Sequence, residues 1–277
     1  MKSRFCLLLW WLPLSVALGA GAELKPPANL VVEAVPPVPA AFVQSVKRYT
    51  EARAASFAGW HPKKLEMLVS TRFGNTAQLH AVAAPLGMRR QLTFFDEPVT
   101  SAGYDPVDGS FFLFQRDQGG SEFTQLYRYD LSDGAITLLS DGGRSQNGEV
   151  NWSNQGARIA YGSTRRNGAD RDIHVMNPRE PKSDRRVLEV TGGGWSVVDW
   201  SPDDRTLLVG EYISVNESHV WLVDVATGAR IEFTPRAEKG VAYGDAAFSK
   251  DGKGVYVTTD KDFEFERLAY VDRTTRQ

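Results

Sequence analysis

One sentence of sequence recurs along the chain: an aromatic strand end, a tight polar turn, then a short apolar run. It is clearest at Trp200-Ser201-Pro202-Asp203-Asp204, followed by Leu207-Leu208-Val209. The same pattern stands at Trp60-His61-Pro62 before Leu65–Val69, and at Tyr104-Asp105-Pro106-Val107-Asp108-Gly109 before Phe111–Phe114. It returns at Trp152-Ser153-Asn154-Gln155-Gly156 before Ile159-Ala160-Tyr161, and at Phe248-Ser249-Lys250-Asp251-Gly252 before Val255-Tyr256-Val257. Pro, Asp, Asn and Gly make the turn because they supply preset or left-handed backbone angles and local hydrogen bonds. The aromatic anchors Trp60, Tyr104, Trp152, Trp200 and Phe248 are spaced by 44, 48, 48 and 48 residues.

A period of about 40–50 residues carrying several strands per unit is the signature of a β-propeller. The strand-like units, punctuated by Gly and Asp, exclude a solenoid of helix pairs. The fold class is therefore all-β: a propeller of four-stranded blades, about five of them present and the set incomplete, preceded by a signal peptide and one helix. In each unit strand A carries the aromatic and strand B is apolar. A longer polar loop leads to strand C, and a Gly/Asp turn to strand D. Strand C alternates with period two, as in Gln125–Asp130, Asp172–Asn177, His219–Asp224 and Arg267–Asp272, so one face packs on a neighbour. Its closing Asp or Asn is placed to form an Asx turn.

Residues 1–22 read as a secretory leader: Lys2 and Arg4, an apolar run from Phe5 to Leu18, and the small-residue exit Ala20-Gly21-Ala22. Residues 23–39 hold Pro26, Pro27, Pro36, Pro37 and Pro39, an extended lead-in. Residues 40–56 read as an amphipathic helix with Phe42, Val43, Val46 and Tyr49 on one face. The blades follow over 57–277, at about 57–93, 94–140, 141–190, 191–234 and 235–277. The fifth lacks a strand D.

Composition narrows the function classes. The formal net charge is −2, and −4 once Lys2 and Arg4 are removed with the leader, so no electrostatic footprint for nucleic acid or a membrane surface is present. The single cysteine, Cys6, lies in the leader, which removes disulfides and thiolate chemistry from the mature chain. His61, His80, His174 and His219 fall in four different units without ligand spacing, so no metal and no cofactor is expected. Gly142-Gly143 and Gly192-Gly193-Gly194 lack the Lys-Ser/Thr and helix of a phosphate loop. They read as turns between blades. Asn216-Glu217-Ser218 is a formal glycosylation sequon and carries no further expectation.

The Trp-Ser-Pro-Asp turn, Arg158–Ser163 and Arg171–Asn177 resemble the repeats of the periplasmic protein TolB and of the propeller in the prolyl oligopeptidase family of serine peptidases. Gln91–Pro98, Phe114–Tyr127 and Gly162–Gly168 are more similar to the peptidases, which include dipeptidyl peptidase IV and acylaminoacyl peptidase. The family pairs its propeller with an α/β-hydrolase domain whose nucleophile sits in G-x-S-x-G. No such motif occurs here; Gly143-Arg144-Ser145-Gln146-Asn147 lacks the last glycine. No catalytic residue is therefore assigned. The chain reads as a peptidase propeller cut short, exported to the periplasm or beyond. The resemblance implies a role in gating or selecting oligopeptides for a missing hydrolase domain. The alternative is a stand-alone, TolB-like periplasmic propeller holding a protein or peptide. A propeller enzyme with its own site, such as a lyase or lactonase, would need histidines in strand A, and none is there.

In a propeller the B–C and D–A loops share one face. That face is expected to carry Arg116, Asp117, Glu122, Arg144, Arg165, Arg166, Asp170, Asn216 and Glu217. Arg116, Glu122, Arg165 and Arg166 are the candidates for holding a peptide terminus, because arginine forks onto carboxylates and glutamate pairs with an α-amine.

Overall fold

The computed structural model describes residues 22–234 and 240–276. The leader thus lies, but for Ala22, outside the described residues. The chain divides into two units, Met1–Arg53 and Ala54–Gln277.

In the first unit an extended segment doubles back on itself through a bridge between Glu23 and Pro39. It leads into α1 (Ala40–Thr50), where Lys47 and Arg48 sit favourably in the last turn. The periodicity extends this helix to residue 56, and the structure ends it at Thr50. The reason is competition from the sheet. Ala55 and Ser56 pair with Thr71 and Ser70, and the Thr71 hydroxyl donates to the Ala54 carbonyl.

The second unit is five antiparallel sheets in sequence order. The first is β1 (Ala55–Trp60), β2 (Met67–Thr71), β3 (Gln78–Val82) and β4 (Arg90–Gln91). The second is β5 (Ser101–Tyr104), β6 (Phe111–Arg116), β7 (Gln125–Asp130) and β8 (Ile136–Leu138). The third is β9 (Asn147–Trp152), β10 (Ile159–Ser163), β11 (Asp172–Asn177) and β12 (Glu180–Leu188). The fourth is β13 (Trp195–Trp200), β14 (Thr206–Ser214), β15 (Glu217–Asp224) and β16 (Arg230–Glu232). The fifth has three strands, β17 (Tyr243–Phe248), β18 (Gly254–Thr259) and β19 (Arg267–Asp272). Strands β9, β13 and β17 adjoin in succession, as do β1 and β5, so the A strands line the inner side of an incomplete β-propeller.

Between successive blades lie four apolar clusters, one per junction. Leu68, Leu79 and Ala81 of blade 1 meet Tyr104, Phe112 and Phe114 of blade 2. Leu113 and Leu126 meet Trp152, Ile159 and Tyr161. Ala160, Ile173 and Val175 meet Trp200, Leu207 and Val209. Leu208, Val220 and Leu222 meet Phe248, Val255 and Val257. Each blade therefore covers the previous one with its strand A aromatic, and the stacking of sheets makes one continuous core.

The residue after each aromatic is a buried turn cap. Ser201 and Ser249 accept from Thr206 and Gly254 N–H groups at 2.9 and 3.0 Å. Ser153 accepts from Arg158, Asp105 from Asp108, and the His61 ring nitrogen Nδ1 from Lys63. His61 is thus a cap standing where serine or aspartate stands in the other blades.

Of the A–B turns, one carries a left-handed residue other than glycine. Asp204, at φ 56°, is the counterpart of Gly156 and Gly252. Its carboxylate accepts from the Asn154 N–H at 2.7 Å, the Asn154 side-chain amide and the Gln155 N–H, so it fastens blade 4 to the turn of blade 3. Three of the four strand C ends form the expected Asx contact: Asn177, Asp224 and Asp272 accept from Arg179, Thr227 and Thr274 N–H groups. Asp130 binds Arg128 instead, at 3.0 Å.

Candidate functional site: the B–C and D–A loop face

The loop face is built by polar residues at the start of strand C. The Gln78 amide donates to the carbonyls of Phe95 and Glu97 and accepts from the Phe95 N–H. Gln125 does the same for the next D–A loop, donating to Gly143 and Ser145 and accepting from Gly142. In blade 3 the position is Asp172, which accepts from Val190 at 3.0 Å. All three are buried, where an unmade hydrogen bond is costly, so the loops are held firmly.

The four candidate residues stand differently on this frame. Arg116 lies over the ring of Phe95, at 4.2 Å from its centroid, and near Tyr127 at 5.2 Å. It donates to Glu97 at 3.1 Å, whose other carboxylate oxygen accepts from the Gly119 N–H. Arg165 points inward to Asp184 and His174. The Tyr161 hydroxyl completes that cluster, donating to Asp184 at 2.9 Å. Burial would raise the Asp184 carboxyl, but bonds from His174 and Arg165 hold it below the usual carboxylate range. Burial drives the Tyr161 hydroxyl far up, so it stays protonated. Arg166 forks onto Asp172 at 2.7 and 3.1 Å and also reaches Asp170 and the Val190 carbonyl.

Glu122 alone of the four is presented to solvent by its backbone. It sits at φ 64° at the tip of the B–C loop of blade 2, exposed, with its N–H donated to Asp117 at 2.7 Å. The three arginines are thus each engaged with neighbouring groups, and the structure does not bring them together with Glu122 through any of these contacts. Among the other residues expected on this face, Arg144 stacks on Phe123 at 4.5 Å.

Apolar residues of this face were invisible to motif reasoning. Phe73 and Phe94 are exposed beside Asp96, around a depression that Gly74, Asn75 and Gln91 help line. The β14–β15 hairpin is long and ends in exposed Tyr212, Ile213 and Val215. The glycine cluster before β13 packs on it. The Tyr212 N–H donates to the Gly194 carbonyl at 2.8 Å, and a Cβ on Gly194 would lie 2.2 Å from the Tyr212 carbonyl oxygen. Gly194→Ala is therefore expected to destabilise the unit by about 1–3 kcal/mol, from overpacking against backbone, in a urea titration. Retention of full stability would show that the hairpin is free of this loop.

Ser145, the nearest approach to a nucleophile elbow, is buried and donates to Asp141 at 2.6 Å. Among the described residues no cluster of three or more His, Cys, Asp or Glu side chains could hold a metal ion. No helix among them is long and apolar enough to cross a membrane.

Two carboxylates make stability depend on acid. Burial would raise Asp172, yet the bonds from Arg166 and the Val190 N–H, with the charges of Arg166 and Arg186, hold it below the usual range. Asp184 behaves likewise. A depressed folded-state value contributes stability that is present above the unfolded carboxyl value, about pH 4, and lost as pH falls through the folded one. Melting temperature is expected to hold from pH 7 to about pH 5 and then fall steeply. Asp184→Asn should flatten that fall, and an unchanged acid limb in the variant would contradict the assignment.

No family model matches the chain, and comparison with curated protein sequences gives no match. Solved structures do match. TolB from Acinetobacter baumannii aligns over 81% of this chain and 53% of its own at 17% identity, with a TM-score of 0.52. One of two prolyl endopeptidases studied for inter-domain dynamics aligns over 80% of this chain and 35% of its own, at 17% identity and a TM-score of 0.61. Oligopeptidase B from Leishmania major aligns over 86% and 36%, at 14% identity and a TM-score of 0.59. The chain thus spans about half the length of that TolB and about a third of each peptidase. At these identities the likeness is one of fold: the chain carries five blades of a β-propeller of the kind seen in TolB and in the prolyl oligopeptidases.

Proposed function

We propose that the chain is the non-catalytic propeller portion of an exported, prolyl-oligopeptidase-like serine peptidase, whose loop face selects oligopeptides for an α/β-hydrolase domain lying outside these 277 residues. The observation that supports this reading is the likeness in fold to the propellers of prolyl oligopeptidases over 80–86% of the chain, a likeness shared with TolB. Export to the periplasm or beyond rests on the leader at 1–22. On the loop face Glu122 is the acceptor for a peptide α-amine. Arg116, Arg165 and Arg166 set the loop shapes and meet a peptide carboxylate only by exchanging their present acidic partners.

The test is calorimetric binding of a hexapeptide with a free amino terminus, beside its N-acetylated form. Glu122→Gln is expected to weaken the free peptide by roughly tenfold, the worth of one charge-assisted bond, and to leave the acetylated one unchanged. Equal binding of both forms to both proteins would overturn the role of Glu122. The chain alone should cleave no peptide p-nitroanilide.

The exposed tip Tyr212-Ile213-Ser214-Val215 favours one second reading, a stand-alone propeller that docks a folded protein. That reading predicts that Ile213→Asp abolishes capture of a protein partner while peptide binding is unaffected.

A further inference from the structure

In blades 1, 3 and 4 the residue before the strand A anchor faces the following blade and brings the inner strands together. The Asn151 amide donates to the Val197 carbonyl at 2.9 Å, joining β9 to β13. The Asp199 carboxylate accepts from the Phe248 N–H at 2.8 Å, joining β13 to β17. In blade 1 the residue is Gly59, and β1 comes so close to β5 that a Cβ there would stand 4.0 Å from the Gly103 Cα.

The junction of blades 2 and 3 differs. Gly103 has no side chain to send across, and a Cβ placed on it would meet nothing within 4 Å. Strands β5 and β9 do not adjoin as the other inner strands do, and no hydrogen bond spans them among the described residues. The anchor Trp152 is left partly buried, whereas Tyr104, Trp200 and Phe248 are buried at their junctions. Between the two strands is a cleft of about 120 Å3, lined chiefly by Ser101, Gly103, Leu113, Gln115, Val150 and Trp152. Both sheets have all four strands, so the opening belongs to the junction itself. Its walls are fixed at both ends. On the loop face the Asn147 amide donates to the Thr124 carbonyl at 3.2 Å. On the opposite face Arg179 donates to Asp105 at 2.7 Å and Arg128 to the Pro178 carbonyl at 2.8 Å.

The lining is mostly apolar and gives water few partners. A dry cavity of about 150 Å3 takes benzene, and pockets for whole ligands start at about 300 Å3. The cleft therefore suits one branched aliphatic side chain. No lining residue carries a charge, so a charged side chain would enter unpaired. One polar group is free to orient a guest. Gln115 is half-buried, and its amide makes no hydrogen bond within the described residues. An amide offers a donor and an acceptor, the pair that a peptide backbone needs.

We propose that the cleft between β5 and β9 is a subsite for a leucine or isoleucine side chain of an oligopeptide, with the Gln115 amide bonding to the peptide backbone beside it. This rests on the reading that the propeller selects oligopeptides, and it names the side chain selected. The guest lies against Leu113 and Trp152 and completes the cover that Trp152 lacks.

Calorimetric titration of the full chain tests this with two hexapeptides of alanine and serine, one of them carrying a single leucine at its third residue. The leucine peptide should bind roughly tenfold more tightly, the order expected for burying one such side chain. Gly103→Val fills the cleft from its floor, where a Cβ has open space, so the melting temperature should be retained. It should abolish the preference and leave the leucine-free peptide unchanged. Ser101→Phe, at the exposed rim, should do the same from the mouth. Gln115→Ala should weaken both peptides by about threefold, the loss of one hydrogen bond.

Equal binding of the two peptides to the unaltered chain overturns the subsite, and the peptide-selecting reading stands on Glu122. If neither peptide binds, that reading falls and the subsite with it. A leucine preference that survives both Gly103→Val and Ser101→Phe places the apolar contact elsewhere and also overturns the proposal.

Discussion

Trp200→Ala is expected to cost the propeller unit about 3–5 kcal/mol, the range for a large aromatic removed from a packed core. Trp200 is fully buried at the junction of blades 3 and 4, among Ile173, Leu207 and Val209. Its indole N–H donates to the Asn151 carbonyl at 3.1 Å, and the Arg158 guanidinium lies 5.1 Å from its ring. Truncation leaves a cavity, an unpaired carbonyl and an uncovered blade face at once. Domains of this size keep only about 5–15 kcal/mol in hand, so most of the folded population at 37 °C is at stake. The same change at Trp60 should cost less, about 1 kcal/mol, because that anchor is 59% exposed and packs on Phe57 at 5.5 Å between ring centroids. Urea titration followed by far-ultraviolet circular dichroism separates the two. Similar losses at both positions would contradict the rule that each aromatic packs on the preceding blade.

Asp172→Ala should also be damaging, at about 1–3 kcal/mol, since it leaves the buried Val190 N–H without its acceptor and removes the fork that holds the partly exposed Arg166. Asp172 is 1% exposed and holds Arg166 by two bonds, Arg186 at 3.4 Å and the Val190 N–H at 3.0 Å. Removing it loosens the B–C loop against the D–A loop of the same blade, which then meet through the Arg166 bond to the Val190 carbonyl and the Gly192 N–H bond to Asp170. Arg166→Ala, which leaves Asp172 with Arg186 and Val190, should cost less. If Asp172→Ala proves neutral, the polar hubs at the start of strand C are not what fixes the loop face. Local effects are readable too: amide exchange should quicken over residues 164–171 and 189–194 before the strands are affected.

Much of the fold was legible because it repeats. A spacing of 44 to 48 residues between anchors marks the units, and period-two alternation marks strand C. An aromatic followed by a capping residue and Pro, Asp, Asn or Gly marks each A–B corner, most plainly Trp200-Ser201-Pro202-Asp203. What sequence could not give was pairing across loops. Arg116 and Glu97 are 19 residues apart, as are Arg165 and Asp184, and no local pattern joins them. The arginines therefore read as free cations, and the structure has each one bound. His61 escaped notice as a turn cap because histidine is a rare choice there, although its place after the aromatic is the signal that would have found it. Trp60 looked like its four counterparts by sequence. In the structure it is 59% exposed, against 2% for Trp200. The helix end was missed for a different reason, since the claim of β2 on Ala55 and Ser56 is a tertiary one.

The loop face is legible in outline and not in detail. Its acidic and basic residues were visible, but its apolar members, Phe73, Phe94 and the Tyr212–Val215 tip, belong to no motif. Under the peptide-selecting reading proposed above, both kinds of contact are called for: charge for a terminus and apolar surface for side chains.

The most direct test of the central claim is the size and reactivity of the native polypeptide. Antibody raised against the propeller would recover it from the source cells after labelling with a fluorophosphonate probe, which reacts with serine hydrolase nucleophiles. The account predicts a labelled polypeptide more than twice the 30.7 kDa of this chain. An unlabelled polypeptide of about that mass or less would contradict it, and would turn attention to the proteins recovered alongside.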